Sequence, residues 1–104
     1  MSGAPGVRPT PLPRFRTGQV VATPAAVRML DQAGVTPMTL LARHAFGDWG
    51  DLGQDDCEAN ESAIRLGGRL FSSYQVGVGL SATKVWVITE ADRASTCLLL
   101  PQEY

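Results

Sequence analysis

Apolar positions change their spacing along the chain, and each change predicts a new element. Gln19 to Ala22 is a short β-prone run. After Thr23-Pro24, Val27, Leu30 and Ala33 recur every three residues, which reads as one face of a helix. Thr23 can accept from the first free amides, and Pro24 suits the first helical position, where no amide partner is needed. Gly34 is the expected stop, because glycine enters the left-handed cap conformation without steric cost. Thr36-Pro37 repeats the start signal, Leu40, Leu41, His44 and Ala45 follow at helical spacing, and Gly47 ends the run. These two short helices form an α-hairpin. Asp51 with Gln54 three residues on has the pattern of a capping box, and Asp55, Asp56 and Glu58 favour the positive end of a helix dipole. The third helix is expected to reach about Leu66, with Cys57, Asn60 and Ile64 facing inward, and to close at Gly67-Gly68.

From Arg69 onward the pattern becomes that of strands. Arg69 to Val76 is the first of these. Gly77 to Ser81 reads as a loose hairpin loop, and Lys84 to Glu90 (KVWVITE) as a strand buried on both faces. Ala91 to Ala94 makes a tight connection to a last strand, Ser95 to Leu100, which Pro101 ends. The predicted fold is α+β, in the order β-α-α-α-β-β-β, with an antiparallel sheet covered on one face by helices.

Residues 1–16 stand apart. Pro5, Pro9, Pro11 and Pro13 with Gly3 and Gly6 predict a disordered, mildly basic tail before a single domain over 17–104. The 104 residues suffice for one core. Nine basic and ten acidic side chains give a net charge of −1, without the basic field of a general nucleic-acid binder or a polybasic membrane anchor. No apolar run approaches a membrane span and the start lacks a signal pattern, so the expected location is cytoplasmic. Cys57 and Cys97 are far apart and in no metal-type spacing.

Few residues offer chemistry. His44, the only histidine, sits near a helix end, where it either caps and packs or serves as a general acid or base. Asp48, Asp51, Asp55 and Asp56 fail the calcium-loop order at Trp49-Gly50, so helix capping accounts for them and neither metal nor cofactor is expected. Arg93 with Ser95 and Thr96 reads as turn chemistry or as an anion site. Trp86 is expected in the core, and Trp49, between two glycines, is either core or a contact anchor.

The segments GQVVATPAAVRMLDQAG, LLARHAFGDWGDL, GRLFSSY and VWVITEADRASTCLLLPQEY span Thr17 to Tyr104. They resemble a family of small bacterial proteins carried on plasmids and integrative elements, some labelled plasmid-related protein or restriction-system subunit. That resemblance implies a mobile-element context and carries no catalytic residues with it. The order of elements is also similar to bacterial ribonucleases of the barnase–EndoU–colicin–RelE type, which cleave RNA without metal. That analogy would give roles to His44, Arg69, Arg93, Thr96 and Tyr104. The leading expectation is a non-enzymatic accessory protein of a mobile element that binds a protein partner, with Arg69 and Trp49 as contacts. The alternative is a small metal-independent ribonuclease with His44, Arg93, Thr96 and Tyr104 as its catalytic set.

Overall fold

The computed structural model describes residues 12–104, so most of the predicted tail, residues 1–11, lies outside the described residues. The elements follow in the predicted order: β1 (Gln19–Ala22), α1 (Pro24–Ala33), α2 (Pro37–Ala45), α3 (Gln54–Leu66), β2 (Leu70–Val76), β3 (Thr83–Thr89) and β4 (Ser95–Leu99). Local chemistry sets the helix ends. The Thr23 hydroxyl accepts from the Ala26 amide at 3.1 Å, Thr36 accepts from Thr39 at 3.4 Å, and Gly34 turns left-handed with φ 71°. The third helix differs from expectation. Its N-cap is Gly53, not Asp51, and no side chain caps it. Asp51 is occupied elsewhere, its amide donating to the Ser73 carbonyl at 2.7 Å. Asp55 and Asp56 remain in the first turn, against the positive end of the dipole.

The sheet order is β1-β4-β3-β2. β2, β3 and β4 form the expected antiparallel meander, while β1 lies parallel to β4, so the sheet is mixed rather than wholly antiparallel. Where the chain enters decides this. Thr17 and Gln19 bond to Thr96 and Ala94 at the start of β4, and Thr23 bonds to Leu98 and Glu103 at its end. One face of the sheet carries Tyr74, Val76, Val85, Val87 and Leu98, packed with Leu100 against Ala26, Leu30, Leu40 and Leu41 of the helices. Val27, expected inward, is instead 45% exposed, and its neighbour Ala26 is buried. A second cluster joins Trp49, Ala63 and Leu70 to Phe15, Leu52, Cys57 and Ile64.

Two expectations change at this level. Arg14 and Phe15, assigned to the tail, belong to the domain: the Arg14 amide donates to the Ala45 carbonyl at 2.8 Å, its guanidinium bonds Glu61, and Phe15 packs on Trp49 and His44. β3 is interior to the sheet, as expected, but Trp86 is only half-buried, because it points to the face the helices leave uncovered.

The outer edge of β2 is sealed at Phe71 and Ser73. The Asn60 side chain imitates a strand, donating to the Phe71 carbonyl at 2.7 Å and accepting from its amide at 3.0 Å. Two residues on, Ser73 exchanges bonds with Trp49 and Asp51. Gly50 allows this approach, since at its φ of 75° a Cβ would stand 2.1 Å from the Ser73 carbonyl oxygen. Replacing Asn60 by Ala leaves an N–H and a C=O of Phe71 without partners, and should cost ~2 kcal/mol. A urea midpoint unchanged from wild type would show that water replaces the amide without loss.

Candidate functional site

His44 is fully buried at the end of α2, under the sheet. A chain of hydrogen bonds fixes its tautomer. The Thr96 hydroxyl donates to the Thr17 carbonyl at 2.7 Å, which commits its only proton. Thr89, 2.6 Å away, must therefore donate to Thr96, and His44 Nε2–H donates to Thr89 at 2.9 Å. Nδ1 is left as acceptor for the Ser72 hydroxyl at 2.5 Å. Phe15 and Trp49 close the ring edges, with centroids 5.0 and 5.8 Å from the imidazole. Burial pushes the imidazole down to about 4, so it stays neutral at pH 7.

Arg93 is the one non-glycine residue with positive φ among the described residues, at 62°. Its guanidinium donates to the carbonyls of Gly68, Ala63, Glu90 and Ala91, and lies 5.9 Å from the Phe15 ring centre. The anion site expected here is thus filled by backbone oxygens. The proposed catalytic set is not assembled in an open cleft. His44 and Thr96 share one buried network, Arg93 is taken up by backbone carbonyls beside the same Phe15 ring that meets His44, and Tyr104 is exposed elsewhere. Trp49 is also no surface anchor, being buried with its indole N–H donating to Glu61 at 3.3 Å. Bonds from Arg14, above all, hold the Glu61 carboxyl down to about 2.

The uncovered face of the sheet offers a different site. Arg69, Phe71, Trp86, Ile88 and Tyr104 line an apolar groove of about 270 Å³. Trp86 meets Phe71 and Tyr104 edge-on, with ring centres 4.9 and 5.7 Å apart. At the rim Arg69 donates to the Tyr104 hydroxyl at 2.8 Å and to Glu90 at 3.2 Å, contacts that raise its pKa above the ordinary arginine value. Arg69 and Tyr104 were candidates from sequence. Phe71, Trp86 and Ile88 were not, although Arg69/Phe71 and Trp86/Ile88 carry the period of two that places each pair on one face.

Among the described residues no three His, Cys, Asp or Glu side chains gather to hold a metal, and Cys57 and Cys97 are both free thiols. No described helix is long and apolar enough to cross a membrane. No family model, curated protein or solved structure matches the chain.

Proposed function

We propose that the protein is a non-enzymatic binding module that takes an apolar side chain of a partner protein into the Arg69–Tyr104 groove. The observation that carries this reading is the groove itself, an apolar cleft with one cation at its rim on the sheet face without helices. Its volume suits one aromatic or large aliphatic side chain. Arg69 spends two N–H donors on Tyr104 and Glu90, and a guanidinium has five, so donors remain for a carboxylate beside the inserted residue. The preferred partner segment therefore has an aromatic or large aliphatic residue next to Asp or Glu. A cytoplasmic accessory role on a plasmid or integrative element belongs to the same proposal and rests on the resemblance of the four segments. The ribonuclease alternative is disfavoured by the burial of His44 and the engagement of Arg93 by carbonyls.

Selection from a random peptide library on the immobilised protein tests this reading. Enriched peptides should share the apolar-acidic pair, and Arg69→Glu should weaken their binding at least ~10-fold, about 1.4 kcal/mol. Arg69 and Glu90 are half-exposed, so the variant should keep the thermal midpoint of the wild type. No enrichment, or equal binding by Arg69→Glu, would overturn the proposal. RNA cleavage in the presence of chelator, lost on replacing His44, would instead revive the nuclease reading.

A further inference from the structure

The two edges of the sheet are treated in opposite ways. The β2 edge is closed over Phe71 and Ser73 by the Asn60 amide and by the Trp49–Asp51 backbone. The β1 edge is open: among the described residues no strand pairs with its outer side. Natural edges are protected by charge, proline or a bulge. From Thr17 to Thr23 the sequence is TGQVVAT, with no charged residue and no proline. Val20 and Val21 point to opposite faces of the sheet and are 42% and 45% exposed. Shortness, at four residues, is the one safeguard this strand has.

We infer that β1 pairs antiparallel with β1 of a second copy of the chain, about a two-fold axis through Val21. The hydrogen-bond pattern sets that register. Gln19 and Thr23 donate to β4, so the alternation along the strand turns the N–H and C=O groups of Val20 and Ala22 outward. Pairing Val20 with Ala22 of the other copy, and the reverse, lets each pair exchange both of its backbone bonds. Val21 then faces its own equivalent in the close, non-hydrogen-bonded position. The segment is its own complement in this register, uncharged and apolar on both faces, which favours a second copy over a foreign strand.

The flanks agree. Arg28 acts on Glu103 at the Thr23 end, while Arg16 and Asp92 flank the Gln19 end. Antiparallel pairing sets one end against the other, so each mixed-charge end meets another with no like-charge block. The contact is small for an interface, so the dimer is a concentration-dependent one. This inference is independent of the groove reading, because β1 takes no part in the groove.

Sedimentation of the full chain from ~5 to ~500 µM should show a monomer passing to a dimer, with a dissociation constant in the micromolar range or above. Val21→Lys and Val21→Glu should each be monomeric throughout, since the axis doubles the new charge, and mixing the two should restore a dimer. Val20→Pro removes an outward N–H without taking a bond from the β1–β4 ladder, and should be monomeric with unchanged far-UV circular dichroism. A wild type that stays monomeric overturns the inference, as do variants that still dimerise or a mixture that does not. A wild type that dimerises only once residues 1–11 are removed assigns the edge to the chain's own leading segment, and overturns it too.

Discussion

Between pH 7 and pH 5 the protein should lose about 2 kcal/mol of stability, and its thermal midpoint should fall by about 8–16 °C. The cause is His44. In the unfolded chain its imidazole titrates near 6.5, whereas in the folded protein burial pushes it down to about 4. The folded state therefore resists a proton that the unfolded state accepts. The stability that comes from a neutral His44 is fully present above the unfolded value and drains away as pH falls towards the folded one. By pH 4 the loss should approach ~3 kcal/mol. Glu61 contributes in a lower window: its carboxyl is depressed from 4.5 to about 2, and its exposed pairing with Arg14 is lost only below the unfolded value. His44→Gln, though less stable at neutrality, should show a nearly flat midpoint between pH 7 and pH 5. A wild type equally flat over that range would mean that the imidazole takes up its proton in the folded protein as readily as in the unfolded chain, so that burial does not hold it neutral.

His44 also shows how far the sequence could be read. Its helix was legible, because the Thr36-Pro37 start and the Leu40–Leu41–His44 spacing are local signals. Its fate was not, because that depends on Ser72 and Thr89, 28 and 45 positions away. A lone histidine at a helix end reads first as capping or packing, with catalysis as the alternative, until its partners are known. The same limit applies to β1. Its extent was legible from composition, but its parallel direction follows from bonds that residues 17–23 make to β4, which no periodicity encodes. Trp86 was a different case. Alternation along KVWVITE already separates Val85 and Val87 from Trp86 and Ile88, and the strength of the apolar run obscured it. Asn60 was placed correctly on the inner side of α3, although its strand-like bonding to Phe71 emerges only in three dimensions.

Arg93→Ala should cost ~3 kcal/mol, through the loss of charge-assisted bonds to partly buried carbonyls. The guanidinium donates to Gly68 at 2.5 Å, to Ala63 at 3.0 Å and to Glu90 and Ala91 at 3.1 Å, pinning the end of α3 to the β3–β4 turn. It also places a cation at the negative end of the α3 dipole. Arg93→Lys should recover less than half of the loss, since one ammonium cannot span both Gly68 and Ala63 in the planar geometry a guanidinium provides. Arg93→Gly would relieve the positive φ of 62° but not restore the bonds, and should fall between Ala and wild type. Equilibrium unfolding in urea distinguishes these outcomes. A loss below ~1 kcal/mol for Arg93→Ala would show that the carbonyls do not need the guanidinium, leaving it available to an anionic ligand.

The parallel β1–β4 seam also bears on how the molecule opens and closes. The Thr96–Thr17 bond joins positions 79 apart, whereas Thr89 and Thr96, on neighbouring strands, are only 7 apart. Closing the longer loop costs about 2 kcal/mol more in chain entropy, a debt repaid only after the helices and the meander have given β1 a surface to land on. β1 is therefore the latch of the fold: the last segment to engage and the first to release when the chain breathes.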